Sequence, residues 1–193
     1  DRDLTTIARF ADIPFVTVVS TTSKYKTLAE LLDAARAQPG RFNYSSTGTG
    51  SSIHLATLLL EEQSKTQMVH IPFSGSSPSL TAVVAGDIQF TIDPPAGSLP
   101  LIKGGKLRAL AVSSASRLKA LPDVPTVMEL GIPNFEVVGF YGFLAPAGTP
   151  KDVVNKLSDA FRQVLSTPDV RTRMVSQGAD PAFLGSDAFA TFL

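Results

Sequence analysis

The chain has 193 residues, 44% of them hydrophobic, and its 17 basic and 17 acidic side chains give a formal net charge of zero. This composition is typical of a globular protein with a buried core and excludes a disordered chain, while the balanced charge gives no support for nucleic acid or an acidic membrane surface as a partner. The absence of cysteine excludes disulfides and thiolate-bound metal sites, and no stretch approaches the roughly 18 apolar residues of a membrane span.

The predicted helices are separated by turn residues. Thr27 and Glu30 have the spacing of a capping box at the start of the first helix, and a Pro-Gly pair ends it. Thr126 and Glu129 repeat this spacing and predict another short helix. Further helices are predicted in the segments "SSIHLATLLLEEQ", "SSPSLTAVVAG", "SLPLIKGG", "TPKDVVNKLSDAFRQVLS", "TPDVRTRMVSQG" and "SDAFATFL".

Short apolar or β-branched runs lie between these helices and predict strands. They are "PFVTVVS", "RFNYSS", "MVHIPF", "DIQFTID", "LRALAVS" and "EVVGFYGFLA". Strands that alternate with helices indicate an α/β fold with a mostly parallel sheet. Five of the runs, between residues 14 and 112, form a complete unit whose continuous apolar strands suit a sheet covered on both faces. The segment 135–193 has one strand and is otherwise helical, which is too little for a sheet of its own.

Small polar residues and glycine crowd the segment "NYSSTGTGSSIHL" at residues 43–55. A strand at 41–46 and a helix from about residue 51 would place this loop at the carboxyl edge of the sheet, where α/β proteins bind ligands. Free N–H groups at a helix start attract anions, and glycines let an anion approach the backbone closely. An ordinary N-cap on a flexible loop explains the composition equally well. The candidate binding residues are Ser46, Thr47, Gly48, Thr49, Gly50 and Ser51.

Two other interpretations of this loop fail on spacing. Ile53 stands where a dinucleotide fingerprint needs its third glycine, and no Lys-Ser/Thr pair follows as in a P-loop. No G-x-S-x-G nucleophile elbow occurs, and the only histidines are His54, expected to pack or bond the loop, and His70, expected in a strand. Two histidines without clustered carboxylates match no metal site. The prediction is therefore no catalytic set, no metal and no cofactor, with an esterase kept as the minor enzymatic alternative.

Asp93 is the candidate on a second strand. It ends the run "QFTID" and precedes a Pro-Pro turn and a helix, so a parallel arrangement would bring it to the same edge as the 46–51 loop. There it could accept a hydrogen bond from a ligand amine or hydroxyl. The commoner fate of such an aspartate is to cap its own turn.

Four stretches of the chain resemble the Bug/TctC family of extracytoplasmic solute-binding receptors of tripartite tricarboxylate transporters. They are "RFNYSSTGTGSSIHLA", "MVHIPFSGSSPSLTAVVAGDIQFTID", "GKLRALAVSSASRLKALPDVPTVMELGIPNFE" and "GFLAPAGTPKDVVNKL". The resemblance implies a two-lobed type II periplasmic-binding-protein fold, whose lobes close on a small organic carboxylate. It also implies that the protein is not an enzyme. It further implies membrane transporter subunits as partners and a periplasmic location, although the chain shows no signal peptide.

Carried over by position, residues 46–51 match the binding loop of the family's second lobe, and Asp93 matches an acidic residue of the site. The segment 140–144 matches the strand that returns to the first lobe. The chain departs from the family at several positions near the site, which affects ligand identity more than fold. These positions are Ser45, Phe73, Ser74, Pro94, Pro95 and Phe140.

The resemblance also predicts the domain organisation. Residues 1–12 would be the end of a first lobe and its crossover, 13–134 a complete second lobe, and 135–193 the return strand and helices of an incomplete first lobe. Family members begin with a region carrying a Pro-Gly-Gly loop and extend the last helix beyond Leu193, so a truncated chain is expected. We expect a homo-oligomer or a domain-swapped pair to cover the incomplete lobe. The alternative is a truncated lobe that acts only as an association module and binds no ligand.

Overall fold

The computed structural model describes residues 3–193, which form two compact units. One unit contains Pro14–Val138, and the other combines the residues up to Ile13 with Gly139–Leu193. The first two residues of the predicted 1–12 segment lie outside the described residues. The roles assigned from sequence to the segments 1–12, 13–134 and 135–193 stay predictions.

The secondary structure alternates between strands and helices over most of the described chain. The elements are β1 (Leu4–Pro14), β2 (Val16–Ser20), α1 (Leu28–Ala37), β3 (Asn43–Ser46), α2 (Ser52–Ser64), β4 (Val69–Pro72), α3 (Ser76–Ala85), β5 (Phe90–Asp93), α4 (Pro95–Lys103), β6 (Leu107–Val112), β7 (Val138–Pro146), α5 (Lys151–Ser166), α6 (Pro168–Ser176), β8 (Asp180–Gly185) and α7 (Ser186–Phe192). No helix among residues 3–193 combines the length and apolar character needed to cross a membrane.

The sheet of the Pro14–Val138 unit is mixed, which corrects the prediction of a mostly parallel sheet. Its strand order is β4-β3-β5-β2-β6. Strand β3 pairs in parallel with both β4 and β5, whereas β2 pairs antiparallel with β5 and β6. Parallel neighbours need a crossover such as α2, but β2 enters directly from β1 without a preceding helix and runs in the opposite direction.

Helices cover this sheet on both faces, as its apolar strands predict. Val16 and Val18 of β2 pack in a buried cluster with Leu80 and Val83 of α3. Val19 points to the other face and joins a second cluster, which contains buried residues of α1 and α2. The alternation follows from the two-residue period of a strand, so a strand buried on both faces must be apolar at nearly every position.

The second unit has a three-stranded sheet in the order β7-β1-β8. The prediction of a single strand in the 135–193 segment is therefore wrong, because the segment contributes both β7 and β8, although each of them pairs with β1 and they form no sheet without it. Strand β1 pairs antiparallel with β8, with Ala8 opposite Gly185. Local sequence patterns could not reveal this pairing, because its two strands lie at opposite ends of the chain. Ile7, Ala8 and Val154 form the buried centre of this unit.

The two predicted capping boxes have different outcomes. Thr27 caps α1 by accepting a hydrogen bond from the Glu30 backbone N–H at 3.1 Å. Thr126 and Glu129 make both reciprocal bonds of a capping box, at 3.0 and 2.8 Å, yet residues 127–130 form a turn and no helix. A capping box therefore fixes the start of a helical turn but does not supply the residues that would propagate it.

Candidate functional site

The carboxyl ends of β3, β4 and β5 lie side by side at one edge of the five-stranded sheet, since these neighbouring strands run in parallel. Helices α2, α3 and α4 begin just after these three strands. Each helix start carries backbone N–H groups without intrahelical acceptors and a partial positive charge. The prediction of a strand that ends at residue 46 and a helix that starts at about residue 51 is confirmed, since β3 ends at Ser46 and Ser51 is the N-cap of α2.

Glycine is required at two positions of the 46–51 loop by backbone conformation. Gly48 has φ 127° and Gly50 has φ 80°, both in the region that side-chain-bearing residues rarely adopt. Ser51 then caps α2, and its side chain accepts from the His54 N–H at 3.3 Å. The loop is therefore a built turn that leads into a capped helix.

The glycine amides of the loop are used internally. Gly48 N–H donates to Ser46 Oγ and Gly50 N–H donates to His54 Nδ1, both at 3.1 Å. By contrast, the N–H groups of Thr49, Ser52 and Ile53 have no acceptor among residues 3–193. Donors for an anion therefore come from the start of α2 more than from the glycines that the sequence pattern emphasises.

Ser46 shapes the loop from inside. It is fully buried, and its Oγ lies 2.6 Å from His70 Nε2 while donating to the Gly48 carbonyl at 3.0 Å. The donor in the contact between Ser46 and His70 depends on the tautomer of the histidine. Because Ser46 is fully buried, its hydroxyl is not open to a substrate as a catalytic nucleophile must be.

The rings of Tyr44, His70 and His54 form an aromatic stack next to the loop. The rings of His54 and His70 lie 4.0 Å apart, and Tyr44 stacks on His70 at 5.2 Å. Burial, and after it the nearby Glu61 carboxylate, raises the pKa of Tyr44 to about 12. Burial also lowers the pKa of His70, with a smaller contribution from His54. The stack is therefore neutral at His70 and Tyr44 near neutral pH.

Asp93 is fully buried at the end of β5. Ser76 at the start of α3 donates from Oγ to Asp93 Oδ1 at 2.6 Å, whereas Oδ2 has no hydrogen-bond partner among the described residues. Burial raises the pKa of Asp93 to about 6, against the lowering effect of Ser76. A β-carbon at Gly97 would lie 3.0 Å from Oδ2, so the first turn of α4 packs directly on this carboxyl.

Sequence reasoning missed Ser76 as part of the site. The signal was present, because "FSGSSPS" is a second glycine- and serine-rich stretch that links a strand to a helix, as at residues 46–51. The structure brings Asp93 to the same edge as the loop but encloses its carboxyl between α3 and α4. Its role towards a ligand stays a prediction. No cluster of three or more metal-ligating side chains occurs in the described part of the chain.

Free helix starts at one sheet edge, without an assembled nucleophile and base, suit a protein that binds small anions. The family model for TctC, the tripartite tricarboxylate transporter family receptor, matches residues 1–193, and the chain belongs to this family. The family comprises periplasmic solute-binding receptors, which confirms the predictions of a Bug/TctC receptor and of a protein that is not an enzyme.

Three known proteins illustrate the relationship. The chain is 39% identical over 171 residues to the UPF0065 protein in the tcbD-tcbE intergenic region of a Pseudomonas species, covering 88% of this chain and 51% of the relative. It is similar to a Rhodopseudomonas palustris protein solved with adipate, with a TM-score of 0.95, 28% identity, and 98% and 64% of the two chains covered. MatC of the same organism, solved with bound malate, gives a TM-score of 0.85 at 32% identity, covering 92% of this chain and 60% of MatC. The chain thus spans between about half and two thirds of the length of these proteins.

Proposed function

We propose that this chain captures a small organic carboxylate as part of an extracytoplasmic receptor, which delivers the solute to the membrane subunits of a tripartite tricarboxylate transporter. Family membership supports the receptor role, and the structural relatives solved with adipate and malate support the class of ligand. A periplasmic location belongs to the same proposal, since the family is periplasmic.

The observation that carries the proposal is the set of unused N–H groups at the start of α2. Thr49, Ser52 and Ile53 present donors at the sheet edge where α3 and α4 also begin. The segments 43–55, 73–79 and 93–97 contain no lysine or arginine. The positive potential that these segments supply comes from backbone amides and helix dipoles without a lysine or arginine side chain, which suits a carboxylate group better than a phosphate dianion.

Residues 46–51 would form one side of the grip. Ser46, Gly48 and Gly50 hold the loop in shape, while Thr49 is exposed and Thr47 and Ser51 are half-buried beside it. Asp93 would influence which ligand binds through its contacts with Ser76 and the first turn of α4. Because the chain covers only part of the length of its relatives, we propose that it supplies the second-lobe share of the contacts, and that its affinity alone is lower than that of a full-length receptor.

We also propose that β7 pairs with a second copy of the chain or in a domain-swapped arrangement. Its side chains Phe140, Tyr141, Phe143 and Leu144 are all exposed, although they are large and apolar. Exposed apolar faces of this kind usually mark contact surfaces. The alternative of a lobe that only associates is not favoured, because the family consists of solute-binding receptors.

Calorimetric titration with adipate, malate and a panel of amino and aromatic acids tests the proposed function. The informative variant is Ser52→Pro, which removes one donor at the first position of α2. Proline is tolerated there, and the extended backbone of Ser51 (φ −65°, ψ 159°) is compatible with a following proline. The matched control is Lys151→Pro at the first position of α5.

At least one acid should bind to the wild-type chain and to the Lys151 variant, with affinity reduced about tenfold in the Ser52 variant. Equal binding by both variants would contradict the proposed donors. If no acid binds while light scattering shows stable oligomers, the association module replaces the receptor as the better account.

A further inference from the structure

His54 connects the binding loop to the aromatic stack beneath it. Its Nδ1 accepts the Gly50 N–H at 3.1 Å, and its own backbone N–H donates to Ser51 Oγ at 3.3 Å. Its ring lies 4.0 Å from that of His70 with an interplanar angle of 18°. The half-buried His54 side chain thus joins the Gly50 end of the turn to α2, alongside the Ser51 N–H bond to the Gly48 carbonyl and the Ser46 bonds to Gly48.

The two histidines respond differently to protonation. His70 Nε2 faces the Ser46 hydroxyl, which can either donate or accept a hydrogen bond. A protonated His70 can therefore keep this bond, with Nε2 as the donor. At His54 the situation is reversed, since a proton on Nδ1 would face the Gly50 N–H and place two donors against each other. The loop therefore depends on the charge of His54.

We propose that His54 is a positioning residue for the ligand-binding loop, and that its neutral Nδ1 is required to hold Gly50 in the conformation that receives a carboxylate. This inference rests on the proposed function of the same loop. Its consequence is that binding to the receptor is coupled to the protonation of His54, so that acidification loosens the loop and releases the ligand.

Several titratable groups face His54 from the surrounding elements. Glu61, on the same helix, interacts electrostatically with His54, which lowers the pKa of Glu61 against the larger raising effect of burial. Tyr44 on β3 stacks at 6.4 Å, and its raised pKa keeps it neutral. His70 on β4 opposes a second charge in the stack, and its lowered pKa, due first to burial and then to His54, reflects this.

Two substitutions separate the acceptor from the ring. His54→Gln keeps an oxygen that can accept the Gly50 N–H but does not titrate. His54→Phe keeps a ring to stack on His70 but offers no acceptor. Two-dimensional NMR of the free protein between pH 5 and 8 should show the Gly50 amide resonance moving together with the His54 ring signals. The Gln variant should lose this movement, and the Phe variant should resemble acidic wild-type protein at every pH.

A second experiment measures the affinity for adipate at pH 7.5 and at pH 5.5. We expect affinity to fall by about threefold to tenfold more on acidification in wild-type protein than in the Gln variant, which reports the titration of adipate itself. The Phe variant should bind more weakly than the Gln variant at pH 7.5.

The inference is overturned if the Gly50 amide does not follow His54, or if adipate binding to wild-type protein tightens on acidification relative to the Gln variant. Absence of adipate binding in every variant would count against the proposed function, while the amide measurement would still decide the role of His54.

Discussion

Two phenylalanines on strands of the two units differ in how far they are buried. In the Pro14–Val138 unit, Phe90 of β5 is completely buried beneath helices. In the other unit, Phe143 of β7 is 44% exposed, although it stacks on Phe10 at 4.9 Å and on Phe161 at 4.3 Å. Helices bury β2 and β5 in the first sheet, whereas β7 of the second sheet is exposed at most of its positions, on both faces. The candidate site therefore lies in the unit with the more closed core.

The largest expected effect distinguishes these two phenylalanines. Phe90→Ala should lower the free energy of unfolding by about 3–5 kcal/mol, because it leaves a cavity in a closed core. Phe143→Ala should lower it by only about 1 kcal/mol, since much of the ring already contacts solvent. Urea unfolding followed by circular dichroism measures both. Similar losses for the two variants would show that β7 is as well covered as β5.

The next effect concerns Asp93, the buried carboxyl of the Pro14–Val138 unit. The pKa of Asp93 is raised to about 6, so ionisation is harder in the folded protein than in the unfolded chain. The penalty is absent below about pH 4, where both states are protonated, and grows as the pH rises to about 6. A rise of this size corresponds to about 3 kcal/mol of lost stability at pH 8.

Asp93→Asn removes this charge and should raise the free energy of unfolding at pH 8 by up to about 3 kcal/mol, with no gain at pH 4. Asp87→Asn is the control, because Asp87 is exposed in the same unit, and it should change stability by less than about 0.5 kcal/mol at either pH. Denaturant unfolding at the two pH values provides the comparison. A gain for Asp93→Asn that is equal at pH 4 and pH 8 would exclude ionisation as its cause.

A smaller effect compares one glycine from each unit. Gly50 has φ 80°, so Gly50→Ala should destabilise the protein by about 1–2 kcal/mol through backbone strain. Gly185 has φ −69° and only ordinary van der Waals neighbours around an added β-carbon, so Gly185→Ala should be neutral or stabilise by up to about 1 kcal/mol. Thermal unfolding of both variants checks this. A loss in Gly185→Ala as large as in Gly50→Ala would contradict the conformational argument.

The sequence contains the local features of the site. The segment that links β3 to α2, its glycine turn and the position of Asp93 at a strand end all follow from residue type and spacing. The structure adds contacts between residues distant in sequence. Ser76 at the start of α3 donates to Asp93 at the end of β5. The stacking of Tyr44 on His70 depends on the parallel pairing of β3 with β4, which no local pattern encodes.

The fold shows the same division. Capping residues, turn residues and apolar runs predict the helices and strands of the Pro14–Val138 unit, except for the short helix expected after Thr126, which is a turn. Strands β1 and β8 were missed because each gains its partner from the opposite end of the chain. The direction of β2 was missed as well, since a strand that enters a sheet without a crossover helix carries no local mark of its orientation.

The central claim is that a carboxylate binds at the start of α2 in the Pro14–Val138 unit. The most direct measurement is NMR chemical-shift mapping of the labelled chain during titration with adipate. The predicted result is saturable movement of the Thr49, Ser52 and Ile53 amide signals, with signals from β7 and α5 unchanged. Movement confined to β7 and α5, or no movement at the start of α2 at saturating adipate, would contradict the account.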